Sequence, residues 1–242
     1  MRACQPSRDG YVERDGVKIH YELFGAGEPT VLLLPTWSVM HSRHWKMQIP
    51  YLARHCRVLT FDGRGNGRSD RPAQPEAYAE SEFAADALAV MDATQTSRAI
   101  IVGFSMGAHR GLLLAANHPE RVEAAVFIDP NYPGGGQPIP ERTVYSWEEE
   151  LDTEEGWAKH NHHYWLRNFK GYLEFFMSRI SPSRTPQSRS RTASHGAWTL
   201  RPRRWRSPTW HPSWSLRGQA SWPGGSAARC WSSTARMTRT PP

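Results

Sequence analysis

Residues 103–107 read Gly-Phe-Ser-Met-Gly, and the runs on either side decide what that pentapeptide can do. Ile100, Ile101 and Val102 precede it as a short apolar, β-branched stretch, and residues 110–117 follow as a helix-compatible one. A strand that turns sharply into a helix at Ser105 lifts the hydroxyl above the carboxyl end of the strand. There it stands over the first turn of a helix whose N–H groups favour negative charge. Gly103 and Gly107 give strand and helix the room to approach so closely. This is the setting in which a serine becomes a nucleophile, and Ser105 is the candidate.

The surrounding elements alternate in the way such a turn requires. Residues 11–15 and 17–24 are alternating runs joined at Asp15-Gly16, a hairpin signal. Residues 30–34 form a continuous apolar run of the kind buried on both faces of a sheet, broken by Pro35-Thr36-Trp37-Ser38. A helix is expected over 44–55, with Trp45, Ile49 and Leu52 on one face and Pro50 starting or kinking part of it. Residues 57–61 make another buried strand, and 81–94 an amphipathic helix with Phe83, Ala87, Val90 and Met91 spaced at three and four and a Ser-x-x-acid start expected near Ser81. After the helix that follows Ser105, closed by His118-Pro119, residues 124–128 form one more strand. Strands and helices at this spacing predict an α/β fold built on a doubly wound, mostly parallel sheet. Three segments follow: a core over 11–135, a helical lid over 136–180, and a tail over 181–242. The 146–180 stretch carries Trp147, Trp157, Tyr164, Trp165, Phe169, Tyr172, Phe175 and Phe176, the apolar cover that an acyl or alkyl substrate needs.

Composition bounds the rest. At 242 residues the chain suits one α/β domain of ordinary size. No early apolar run resembles a signal peptide and no stretch approaches a membrane span, so a cytoplasmic setting is the default. Cys4, Cys56 and Cys230 make neither a metal pattern nor a disulfide framework. The net charge of +7 would suggest nucleic acid, but it is unevenly placed. Residues 1–180 carry 19 Lys and Arg against 23 Asp and Glu, whereas 181–242 carry 11 Arg and no Asp, Glu or Lys.

With these pieces assembled, residues 11 to about 180 resemble the α/β-hydrolase superfamily, in its lid-bearing esterase/lipase-like branch. The resemblance rests on Gly103-Phe104-Ser105-Met106-Gly107 and on Asp62-Gly63-Arg64-Gly65-Asn66-Gly67-Arg68-Ser69-Asp70, which is similar to the family's Asp-x-Arg-Gly-x-Gly-x-Ser turn. The second motif reads as scaffold, since it lacks both the Lys-Ser/Thr of a P-loop and the spacing of a dinucleotide fingerprint. The resemblance implies that Ser105 attacks a carbonyl to give an acyl-enzyme, without metal or organic cofactor. It implies the Met106 N–H as one oxyanion donor. The second donor belongs to the loop after the 30–34 strand, where the family usually has His-Gly-x and this chain has Pro35-Thr36-Trp37. Trp37 N–H is the positional candidate, with Ser38 next. The implied partner is a small-molecule acyl substrate, with no membrane; oligomeric state is left open.

A serine needs a base, and the base an orienting carboxylate. In this family both come late in the chain, yet no acidic residue follows Glu174 and only His195 and His211 follow residue 180. Neither has a strand before it. His109 follows the nucleophile too closely, and His160, His162 and His163 lie in the lid segment. The tail lacks Val, Ile, Phe and Tyr altogether, as well as Asn, Asp, Glu and Lys, and its composition reads as disordered. It also reads as a GC-rich gene in the wrong frame. Overlapping codons from Arg229 to Thr238 are compatible with Val-Leu-Val-Ile-His-Gly-x-x-Asp, which resembles the family's late strand and acid-bearing loop. The expectation is a frameshift near 181–183, a sheet missing its last strands, and an unstable, inactive chain. A non-catalytic relic is the second reading. Nucleic-acid binding through the tail's arginines and tryptophans is the third and least supported.

Overall fold

A computed structural model of the chain describes residues 4–130, 140–142 and 144–180. Two compact units are distinguished, Met1–Pro212 and Ser213–Pro242, and all the described residues belong to the first. The segment boundary expected near residue 135 and the whole 181–242 tail, with its frame and nucleic-acid readings, lie outside the described residues.

The expected hairpin forms from β1 (Arg8–Arg14) and β2 (Val17–Phe24), antiparallel with Arg14 opposite Val17. Its two-residue turn places Asp15 at φ 51° and Gly16 at φ 74°, the left-handed geometry that matches the twist of a tight hairpin. The remaining strands are β3 (Thr30–Leu33), β4 (Arg57–Phe61), β5 (Ala99–Phe104) and β6 (Val122–Ile128). They join in the order β1-β2-β4-β3-β5-β6. β4, β3, β5 and β6 run parallel, and β2 is antiparallel to β4. The α/β-hydrolase fold with a mostly parallel sheet, expected from the sequence, is the fold found.

Alternation of side chains divides the core. On one face Ile19, Tyr21, Leu32, Leu34, Leu59, Phe61 and Ile101 pack against Ala87, Val90 and Met91 of α2 (Glu80–Ala93) and Leu114 of α3 (Met106–Asn117). On the other face Val31, Leu33 and Val58 meet Trp45 and Ile49. That second face is less complete. Ile100, Val102 and Phe104 of β5 are only half-buried, and Val126 and Ile128 of β6 are 48 % and 43 % exposed. Among the described residues β6 is an edge strand, and an apolar edge is a poor one to leave open.

Two local expectations need correcting. The single helix over 44–55 is instead a 3-10 turn at Ser42–Trp45 followed by the short α1 (Ile49–Leu52). Pro50 has no N–H and is tolerated only in a first turn, so the chain restarts its helix there. Ser81 does not cap α2: the extended residue is Ala79, at φ −61° and ψ 147°, and no side chain caps the end. Glu80 and Glu82 in the first turn complement the helix dipole instead. Farther on, residues 144–180 carry a 3-10 turn at Gly156–Lys159, then α4 (His162–Arg167) and α5 (Phe169–Ile180). No helix of the described residues is long and apolar enough to cross a membrane.

Candidate active site

Ser105 is the residue between β5 and α3, and its backbone sits at φ 55° and ψ −119°. A non-glycine residue rarely takes such a conformation, which stores roughly 1–3 kcal/mol of strain. The strain is held by close packing on both sides. Ser105 N–H donates to the Ile128 carbonyl at the end of β6, at 2.9 Å. A Cβ on Gly103 would lie 2.4 Å from the Gly107 carbonyl oxygen, and one on Gly107 would lie 2.8 Å from the Pro35 carbonyl oxygen. Both glycines stand where backbone meets backbone. The Ser105 side chain is half-buried and caps nothing; its Oγ has no hydrogen-bond partner among the described residues.

Met106 opens α3, so its N–H has no acceptor within the helix. Trp37 lies in the loop after β3, and its N–H likewise finds no acceptor among the described residues. The structure brings these two residues into one apolar cluster, in which Trp37, Val39 and Met106 pack with Tyr164, Trp165, Tyr172, Leu173 and Phe176. The ring of Trp37 is 4.9 Å from that of Phe176 and 6.0 Å from that of Trp165. Aromatic residues of α4 and α5 thus stand directly on the two candidate oxyanion residues. Ser38, the other candidate, is buried, with its carbonyl accepting from Asn66 Nδ2 at 2.7 Å.

The 62–70 motif is built as a tie. Asp62 accepts from the Ser42 and Arg68 backbone N–H groups, each at 2.9 Å, and Ser69 Oγ donates to the Asp62 carbonyl at 2.6 Å. Burial opposes the Asp62 charge, but hydrogen bonds from His20, Arg68 and Ser42 hold its carboxyl well below the usual carboxylate range. Arg64 forms a buried fork onto Asp86 of α2, with both contacts at 2.7 Å. Asp62 and Arg64 therefore face inward, to scaffold, while Arg68 and Asp70 stay exposed, and Asn66 reaches the loop that carries Trp37.

None of the lid-segment histidines stands on Ser105. His162 and His163 contact Glu148, and His109 is half-buried on α3 with its pKa lowered by burial. His160 is buried: Arg142 Nε donates to its Nε2 at 3.3 Å, so its other nitrogen, Nδ1, carries the proton toward Tyr172 Oη at 3.1 Å. Burial, reinforced by the charge of Arg142, pushes the His160 pKa down to about 3. Burial likewise pushes His44 to about 4. Both groups bind protons more readily in the unfolded chain, so their contribution to stability is complete above about pH 6.5 and is lost as pH falls through those values. His20 has the opposite sign. Burial works against its charge, but hydrogen bonds to Asp62 and Asp9 raise its pKa, so its contribution fades only above pH 6.5. The urea midpoint is therefore expected to fall steadily from pH 6.5 to pH 4, each buried histidine adding a slope of up to about 1.4 kcal/mol per pH unit. His160→Gln should flatten that slope; an unchanged profile would mean that His160 is already hydrated.

Sequence reasoning did not find Arg110, Thr36 or Glu80, which surround the Trp37 loop. Thr36 Oγ1 donates to the Phe104 carbonyl at 2.8 Å, and Arg110 donates to the Pro35 and Thr36 carbonyls. The available signal was an arginine on the inward stripe of α3, in step with Gly107 and Leu114.

Comparison with known proteins identifies the family of this fold. The model of the family described as the alpha/beta hydrolase fold matches residues 29–206. A protein named as the carbamate hydrolase RutD of Caulobacter segnis is 36 % identical over 125 residues, 50 % of this chain and 45 % of its own. A 2-hydroxymuconate semialdehyde hydrolase of a Pseudomonas species is 32 % identical over 119 residues, 47 % of this chain and 40 % of its own. The chain thus spans under half the length of these curated relatives. Among solved structures, Est816, described as an N-acyl homoserine lactone degrading enzyme, superposes with a TM-score of 0.57 at 27 % identity, covering 77 % of this chain and 64 % of that one.

Proposed function

Because the chain belongs to the alpha/beta-hydrolase family, we propose that Ser105 is the nucleophile of a serine hydrolase scaffold for esters, thioesters or related acyl groups. The observation that carries this reading is the strained Ser105, whose Oγ, like the N–H groups of Met106 and Trp37, has no hydrogen-bond partner among the described residues. A hydroxyl adding to a carbonyl carbon creates an oxyanion, and two backbone donors are what an oxyanion needs. The carbamate and lactone named for two of the relatives each present such a carbonyl. The 144–180 helices act as a lid: their aromatic rings on Trp37 and Met106 exclude water where charge would develop.

The same geometry supports an inactive chain. Activation of a serine requires a hydrogen-bonded base, and Ser105 Oγ has no partner among the described residues. In this reading the acid and base are lost from the chain through a change of frame near residues 181–183. Labelling with a fluorophosphonate probe tests both halves. The 242-residue protein should resist labelling in plain buffer, become labelled at Ser105 when imidazole is supplied as an external base, and stay unlabelled as Ser105→Ala. Rapid labelling without imidazole would overturn the inactive reading, and equal labelling of the Ser105→Ala variant would overturn the nucleophile assignment.

A further inference from the structure

We propose that Arg110 is a positioning residue that aims the Trp37 N–H, an inference that rests on the oxyanion role given to Trp37 above. Arg110 lies on the inward stripe of α3 and is 1 % exposed, a costly place for a guanidinium when an apolar side chain would fill the same space. Its donors show what holds it there. Nε and Nη2 fork onto the Glu80 carboxylate at 2.7 and 3.2 Å, and its plane lies 3.6 Å over the ring of Phe83. Nη1 then reaches the Pro35 carbonyl at 3.2 Å and the Thr36 carbonyl at 2.6 Å.

The second of these contacts acts on the candidate donor through covalent geometry. The Thr36 C=O and the Trp37 N–H belong to one planar trans peptide and point in opposite directions. Fixing the carbonyl on Arg110 therefore fixes the direction of the N–H, away from the guanidinium. Neighbouring carbonyls are pinned in the same way. Leu34 accepts from Trp45 Nε1, Trp37 from the Met40 N–H and Ser38 from Asn66 Nδ2. From Leu34 to Ser38 every carbonyl is tied, while the N–H groups of Thr36, Trp37 and Ser38 have no acceptor among the described residues, and the Trp37 N–H is the one whose peptide carbonyl Arg110 holds at 2.6 Å. Thr36 Oγ1 anchors the same residue to the Phe104 carbonyl, one position before Ser105. The loop is thus referenced to both sides of the nucleophile turn, to β5 by Thr36 and to α3 by Arg110.

The test uses two independent readouts on the full chain, with Arg110→Met, which keeps bulk but removes the donors, and Arg110→Lys, which keeps one charged donor. Hydrogen exchange of the 35–40 backbone is expected to quicken about tenfold in Arg110→Met, with exchange in β1 unchanged. The imidazole-assisted fluorophosphonate reaction is expected to lose about tenfold or more in its saturating rate, with the half-saturating concentration within about twofold and part of the rate restored in Arg110→Lys. Unchanged exchange in the 35–40 loop overturns the proposal. So does quickened exchange with an unaltered saturating rate, or a loss confined to half-saturation. If the native chain resists the probe even with imidazole, the nucleophile reading fails, and exchange alone decides whether Arg110 holds the loop. If Arg110→Met does not fold, Arg110→Lys carries the same comparison.

Discussion

Gly103→Ala is expected to destabilise the protein by about 3 kcal/mol or more, with little folded material recovered. The added Cβ would stand 2.4 Å from the Gly107 carbonyl oxygen, 2.5 Å from its carbon and 2.6 Å from the Ala108 Cα. All three are backbone atoms, and none can swing aside as a side-chain end could. Relief requires β5 and α3 to separate, and both are pinned: α3 reaches the loop after β3 through Arg110, and Ser105 N–H is bonded to Ile128. Gly111→Ala is the control. Its nearest contacts, at 3.1 to 3.2 Å, are tips of Leu34, Ile101 and Phe127, which can shift by the few tenths of an ångström required. Urea unfolding of the two variants side by side decides the matter. Equal midpoints would mean that the β5–α3 approach is not rigid, and the strained Ser105 would then have little to hold it.

The centre of the sheet was legible because β3 and β4 are buried on both faces, and a run such as residues 30–34 has no other stable use. The nucleophile turn was legible for a different reason: only glycine fits at Gly103 and Gly107, so the backbone contact writes itself into the residue type. Scaffold use of the 62–70 motif could be read from what it lacks, and the structure shows Asp62 and Arg64 turned inward, Arg64 on Asp86 and Asp62 on backbone N–H groups. Helix ends were less legible. Ser81 is followed three residues on by Ala84 rather than an acid, so no capping box is available to it, and it lies inside α2. The clamp on the Trp37 loop was not legible at all. Its partners are 30 positions apart for Arg110 with Glu80 and 74 for Arg110 with Thr36, and nothing local in the sequence signals a contact that the fold alone creates.

Replacing Asp86 by alanine should have an effect comparable with that of Gly103→Ala, through charge rather than shape. Asp86 has no exposed side-chain surface and carries two guanidinium groups, Arg64 on both oxygens at 2.7 Å and Arg14 Nε on Oδ1 at 2.9 Å. The two cations are not equivalent. Arg14 is one-fifth exposed and also bonds Glu82, so it can turn to water or to its other partner. Arg64 is 2 % exposed; without Asp86 its Nε and Nη2 would lose their partners in the core, leaving only the Ala77 carbonyl at 2.7 Å and the more distant Glu82 carboxylate at 3.6 Å on Nη1. Stranding a buried cation costs about 3–5 kcal/mol, which in a chain of this size lowers the melting temperature by about 10 °C. Adding Arg64→Met to Asp86→Ala removes the stranded charge and should recover a large part of that loss, so the two changes are strongly non-additive. Additive losses would mean that the pair is stabilised by packing alone. Because Arg64 shares its loop with Asn66, which holds the Ser38 carbonyl, the single variant should also loosen the Trp37 loop, and the double variant should tighten it again.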